Sequence, residues 1–247
     1  MRRVLFQWRG IQIYAYPAML YLGLVLGIVA GTFAAARLGL DSAKVYVTLL
    51  LLVPVALVGA RLLFVASHWG LFRREPSRIW RRSDGGAALY GGLVLAFLLS
   101  LPLLKALKLS IGAFWDAATV TILTGIVFGR MGCLLHGCCA GRPTESRYAL
   151  RLPNVQGVWR RRIPAQILEA GLAAALLLGS MAAWNRLPGK GALFLGALAA
   201  YAAGRWWLES TKETIDRIGS LSLHRAISAA LVVFSTGGLV LMLLHQA

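Results

Sequence analysis

The sequence predicts an all-α, polytopic membrane protein with about seven transmembrane helices, built as one domain over residues 1–247. Three observations carry that reading. Hydrophobic residues make up 58% of the 247, and only 14% are charged, where a soluble domain carries about 25%. Pro17–Ala36 is a run without any charge, long enough as a helix to cross about 30 Å of hydrocarbon. The net charge of +17, from 26 basic and 9 acidic residues, sits mostly between the apolar runs. Such a charge in a soluble protein would suggest nucleic acid. Here its natural partner is an anionic phospholipid surface, and no nucleic acid is expected.

The spans are read in order as Pro17–Ala36, Val45–Ser67, Ala87–Leu104, a fourth from near Phe114 into a glycine-rich stretch, Pro164–Trp184, Gly191–Leu208 and Leu223–Leu244. Met1–Tyr16 is too long and mixed for the charged start of a cleaved signal peptide. Short loops join spans one to two, three to four and five to six. The longer connections, Trp69–Gly86, Arg142–Ile163 and Glu209–Ser222, share a side with the N-terminal segment. That side holds 19 of the basic residues against 6 opposite, with Arg61 inside a span. Counting charge alone would put this side in the cytoplasm.

The densest chemistry lies in Gly129–Gly141, GRMGCLLHGCCAG, with all three cysteines, an arginine and a histidine. Glycines 125, 129, 132, 137 and 141 fall roughly on one helical face, which reads as a close helix contact in a membrane bundle. Arg130 and His136 are poor choices for packing alone. Three cysteines, two of them adjacent, do not make a disulfide framework.

Four further charges do not suit lipid. Arg61 lies between Val53–Ala60 and Leu62–Ala66, Glu169 lies one turn into span five, and Arg205 and Glu209 share a face at the end of span six. Intramembrane charges face partners or a water-filled cavity. One reading pairs Arg61 or Arg205 with Glu169. The other gathers Arg61, Arg130 and Arg205 at one depth as an anion site, because a guanidinium stays charged and donates a planar fork to phosphate. Asp84-Gly85-Gly86 and Tyr90-Gly91-Gly92 bracket the start of span three. Tyr90 is either an interfacial anchor or a hydroxyl turned into a site.

In order and spacing these elements resemble the bacterial prolipoprotein diacylglyceryl transferase family. Arg61 looks like its arginine of the second span, and Asp84-Gly85-Gly86 with Tyr90-Gly91-Gly92 like its DGG…HGG. Gly129-Arg130-Met131-Gly132 through Gly141 looks like GRxGN…NGxxxG. Pro164-Ala165-Gln166 with Glu169 is similar to P-[SA]-Q-x-x-E, Arg205 with Glu209 to R-x-x-x-E, and Leu221-Ser222 to LS before the last helix. There are also departures. The histidine of HGG is Tyr90 here, the signature asparagine is Cys133, the acidic residue after NG is Cys138, and the glutamine after LS gives way to His224-Arg225. This looks like a divergent, cysteine-bearing branch.

The resemblance implies a bundle around a lipid-accessible cavity in the bacterial cytoplasmic (inner) membrane, working on its outer face despite the charge count. It implies transfer of the diacylglyceryl group of phosphatidylglycerol to a lipobox cysteine in a preprolipoprotein signal peptide, with glycerol phosphate leaving. Arg130 and Arg205 would stabilise that phosphate, with Arg61 in support. His136 would replace the missing base, unless it is structural, and Tyr90 would donate to a phosphate or ester oxygen. Arg61, Gly91, Gly92, Cys133, Cys138, Gly141, Gln166, Glu169 and Glu209 would line the substrates. The rivals are the same fold acting on another acceptor, a non-catalytic lipid binder or transporter, and a metal or redox module on Cys133, His136, Cys138 and Cys139. The last ranks low because C-x2-H-x-C-C lacks the separated pairs of usual zinc sites. No cofactor and no stoichiometric metal are therefore expected.

Overall fold

In the computed structural model, which describes residues 4–8, 11–73, 75–80, 88–184, 186–187, 189–213, 217–218 and 221–245, seven long helices carry the apolar runs. A hairpin of β1 (Val4–Trp8) and β2 (Ile11–Tyr14) leads into α1 (Ala15–Arg37) and α2 (Ser42–Ser67). The one-turn α3 (Trp69–Phe72) and a 3-10 turn, Pro76–Trp80, precede α4 (Leu89–Ala106) and α5 (Ile111–His136). A second hairpin, β3 (Leu150–Pro153) with β4 (Trp159–Arg162), separates α5 from α6 (Ala165–Ala182) and α7 (Ala192–Leu208). The small pair β5 (Arg217–Ile218) and β6 (Leu221–Ser222) opens α8 (Leu223–Leu244).

Six of these helices, α1, α2, α4, α5, α6 and α8, are long and apolar enough to cross a membrane. Helix α7 has 17 residues, about 25 Å at 1.5 Å per residue, so the expected count of seven spans is approximate. The ends follow local chemistry. Asp41 starts α2 three residues earlier than hydropathy alone suggests, because its carboxylate accepts from the Ala43 and Lys44 amides at 3.0 and 3.2 Å. Gly137, at φ +87°, ends α5 by donating its amide to the Cys133 carbonyl at 2.9 Å, a left-handed cap that suits glycine.

Helix α5 is the hub. Residues 113–120 are all buried, and Trp115 packs among Phe97, Phe114 and Phe194. Buried Asp116 accepts from the Gly191 and Phe194 amides at 2.6 and 2.9 Å. A carboxylate there satisfies orphan donors and meets the positive end of the α7 dipole. The close approach of α1 to α5 uses glycines of α1: a Cβ on Gly27 would lie 2.7 Å from the Thr121 carbonyl oxygen. Of the contact face expected on α5, Gly132 does meet α1, with a Cβ there 3.1 Å from Met19 and 3.3 Å from the Tyr16 carbonyl oxygen, whereas Gly125 and Gly129 have open space around them. Helices α2 and α4 meet as closely, with a Cβ on Gly59 only 2.5 Å from the Gly91 carbonyl oxygen. Helix α8 buries little beyond Ser228 and Ser235 and exposes Val233, Phe234, Val240, Leu241, Leu243 and Leu244. In water that face would be a liability; in a bilayer it meets acyl chains.

Candidate active site

The ends of α5 and α7 and the start of α6 converge on one buried ion cluster. Glu169, in the second turn of α6, takes Arg130 from α5 at 2.8 Å and Arg205 from α7. A 3-10 turn after α7 brings Glu209 to 3.3 Å from Arg205. Lys212 follows at 3.4 Å from Glu169 and 3.3 Å from Glu209. Three cations face two carboxylates, leaving one positive charge in surplus in a place nearly closed to solvent. Glu169 and Glu209 are 1% exposed and Arg205 is 5% exposed. Burying ions costs several kcal/mol each, so the cluster is poorly explained as a device for stability alone.

Its hydrogen bonding is incomplete. Oε2 of both Glu169 and Glu209 sits in an ion pair without an aligned hydrogen bond. The Tyr201 hydroxyl, one turn before Arg205 and within electrostatic reach of both arginines, is buried without a hydrogen-bond partner. Gln166 Oε1, one turn before Glu169, is the same. Orphaned polar atoms gathered at one place point to a ligand rather than to finished packing.

A loop with three thiols borders the cluster. Cys133 lies one turn beyond Arg130 on α5. The left-handed turn at Gly137 then folds the chain back, so the sulfurs of Cys133, Cys138 and Cys139 all lie within 4.8 Å of one another. Gln166 Nε2 donates to the Cys138 carbonyl at 2.8 Å. Further on, Glu213 donates its amide to the Ala140 carbonyl at 3.0 Å and Arg142 to that of Thr211 at 2.8 Å. Buried Arg162 donates to the Gly141 carbonyl at 3.2 Å and pairs with Glu213 at 2.8 Å. Gly141 has to be glycine, because a Cβ would collide with the Ile163 carbonyl oxygen. The Cys139 thiol is held below the ordinary thiol range by hydrogen bonds from Cys133 and Cys138, aided by Arg130 and Lys212.

Two further groups flank the site. On one side His136 ends α5 with its ring centroid 6.3 Å from that of Tyr16. His136 Nδ1 is buried without a hydrogen-bond partner, and Tyr16 lies within electrostatic reach of Arg130 and the three thiols. On the other side the Tyr90 hydroxyl shares a 2.7 Å hydrogen bond with Ser228 of α8. Tyr90 lies 6.2 Å, ring to ring, from His224 and within reach of Arg205.

The structure therefore brings Arg130, Arg205, Glu169, Glu209, Gln166, Cys133, Cys138, Gly141 and the flanking His136 and Tyr90 to one end of the bundle. Arg61 has partners in the turn after α3. Its Nε and Nη2 donate to the carbonyls of Ile79 and Arg78 at 2.7 and 3.1 Å, with the guanidinium over Phe64 and Phe72. It braces the turn after α3, while Glu169 takes Arg205, one of the two expected pairings, together with Arg130 and Lys212. Gly91 and Gly92 press on the backbone of α2. Asp84-Gly85-Gly86 lies outside the described residues. Sequence reasoning missed Lys212, Tyr201 and Tyr16. The first two had a signal: Lys212 is three residues past Glu209, and Tyr201 is four before Arg205, each on the turn that carries the motif.

Residues 3–243 match the family described as prolipoprotein diacylglyceryl transferase. The chain belongs to that family. It is a transferase of the multi-pass membrane type, as the resemblance implied. Curated relatives named phosphatidylglycerol–prolipoprotein diacylglyceryl transferase include those of Bacillus cereus, 28% identical over 244 residues, and Bacillus mycoides, 27% over 244. That of Geobacillus kaustophilus is 29% identical over 246. Each alignment covers 94% of this chain and 89% of the relative.

Proposed function

We propose that this chain transfers the diacylglyceryl group of phosphatidylglycerol to the thiol of a lipobox cysteine in a preprolipoprotein signal peptide, on the outer face of the bacterial cytoplasmic membrane. The observation that carries the reading is the buried cluster of Arg130, Arg205 and Lys212 against Glu169 and Glu209, with its single surplus positive charge. A phosphodiester head group brings one negative charge. As sulfur attacks the glyceryl carbon, the carbon–oxygen bond breaks and its electron pair moves to the departing phosphate, whose charge grows towards two. Cations fixed in a dry site stabilise that growing charge more than the ground state. The guanidinium forks of Arg130 and Arg205 suit phosphate oxygens, and Lys212 adds a point charge.

The attacking group is a thiolate, so the thiol must lose a proton. His136, on the thiol side of the cluster, is assigned as the acceptor, and Tyr90 as a donor to phosphate or ester oxygen. The lipid enters laterally through a cavity open to the bilayer, the basic loops face lipid head groups rather than nucleic acid, and the peptide thiol approaches past Cys139. The test is mass spectrometry of products after the purified chain meets phosphatidylglycerol and a lipobox peptide. The peptide should gain one diacylglyceryl unit, with glycerol phosphate released in equal amount. Glycerol phosphate release without peptide modification would move the reading to another acceptor. Binding of the lipid with no release would make the chain a lipid binder.

A further inference from the structure

The thiols of Cys133, Cys138 and Cys139 have no part in the reaction as described so far, yet the fold gathers them. Spacing alone spoke against a metal because C-x2-H-x-C-C lacks separated pairs. The turn at Gly137 removes that objection: it folds residues 138 and 139 back over Cys133, with Cys138 Sγ 3.8 Å from the Cys133 carbonyl oxygen. The three sulfurs lie within 4.8 Å of one another. Zinc–sulfur bonds of about 2.3 Å in a tetrahedron place sulfurs about 3.8 Å apart, so a side-chain adjustment of about one ångström completes the trio.

We infer that Cys133, Cys138 and Cys139 bind a thiophilic divalent cation, zinc in the first place, as a three-thiolate site whose fourth position receives the thiol of the acceptor peptide. The inference rests on the proposed transferase reading and deepens it. The donor set favours it in three ways. Among the described residues these three form the one such group of metal-ligating side chains. Three protein ligands leave a position open, as catalytic rather than structural zinc sites do. Three thiolates and a divalent ion carry one net negative charge, and Arg130 and Lys212 face that charge from the ion cluster. Cys139 is exposed and gives the ion a way in, while Cys133 is buried one turn from Arg130. The metal-held nucleophile would therefore stand next to the phosphate it displaces.

The step balances without a redox partner. The acceptor thiol binds the cation as thiolate, and its proton passes by way of His136 to water. Its sulfur forms a bond to the glyceryl carbon as the carbon–oxygen bond breaks, and the oxygen leaves with its electron pair as glycerol phosphate. A coordinating thiol is deprotonated outright, which meets the demand that the absent family histidine leaves open.

The experiment uses the full chain, purified in detergent without chelator, with cobalt(II) as spectroscopic probe. Elemental analysis should find one zinc per chain. Cobalt exchange should give a sulfur-to-cobalt charge-transfer band at one equivalent, lost in the triple Cys→Ser variant and weakened in Cys139→Ser alone, where an exposed side chain changes. Absence of zinc and of the cobalt band in the native chain would overturn the site. In the transfer assay, stripping the metal should abolish thioether formation and zinc should restore it. Undiminished transfer by stripped protein would overturn the catalytic role while leaving the transferase reading intact. A full cobalt band with no transfer in any form would sink the transferase reading and leave the metal site standing.

Discussion

Gln166 donates from Nε2 to the carbonyl oxygen of Cys138 at 2.8 Å. One residue of α6 thereby holds the loop that carries two of the three thiols, and one turn further along the same helix Glu169 gathers the cations. Gln166→Ala leaves a part-buried carbonyl without its donor, a loss of about 1–3 kcal/mol. The expected result is a transfer rate lower by roughly tenfold or more, with faster alkylation of Cys138 and Cys139 as the loop loosens. Unchanged alkylation with unchanged rate would show that the loop is held by its contacts to residues 211–213 and not by α6.

Arg130→Ala and Arg205→Ala should each lower transfer by about 100- to 1,000-fold, the scale of removing one fixed donor from a developing oxyanion. The fall should appear in kcat more than in KM, since the charge they meet grows towards the transition state. Lys212→Ala belongs to the same set and should fall less, because an ammonium is a point charge without the planar fork of a guanidinium. Full activity in both arginine variants would refute the anion site.

Glu169→Gln separates assembly from catalysis. It removes the carboxylate that Arg130, Arg205 and Lys212 share, and breaking a buried pair costs about 3–5 kcal/mol. Thermal unfolding in detergent should shift clearly downward. A variant with native unfolding temperature and no transfer would make Glu169 a participant in chemistry rather than the anchor of the cluster.

The glycines show how much could be read from the sequence. Hydropathy placed every long helix, because the bilayer imposes a length that composition reports directly. The motif spacing brought Arg130, Glu169, Arg205 and Glu209 together in expectation as in structure. Which glycines make close contacts could be read only in part, since that depends on which helices are neighbours: Gly132 of the expected face meets α1, but α1 also meets α5 through its own Gly27, and α2 meets α4 through Gly59 and Gly91. The backbone partners of Arg61 could not be read for the same reason. Its depth in α2 was legible, but the carbonyls that take its donors belong to a turn whose path no periodicity reports. Gly59→Ala and Gly91→Ala should therefore destabilise the fold by about 1–3 kcal/mol through overpacking. Gly125→Ala should stabilise it by up to about 1 kcal/mol, a helix-interior gain with room for the methyl. Reversal of that order in thermal unfolding would contradict the packing described.

The last prediction concerns the proton. A sole general base accounts for about 100- to 10,000-fold in rate. If the acceptor thiol is already ionised by a metal, His136 has less to do, and His136→Gln should lower transfer by only about tenfold with phosphatidylglycerol binding intact. Tyr90→Phe loses the 2.7 Å hydrogen bond to Ser228, worth about 0.5–1.5 kcal/mol, so its rate should drop by a similar factor. Tyr90→His brings back the residue of the family motif beside Arg205 and should be tolerated. A loss above 100-fold in His136→Gln would make it the sole base and remove the need for metal activation. An inactive Tyr90→Phe beside a fully active His136→Gln would pass the proton transfer to Tyr90 and leave His136 as the packing partner of Tyr16.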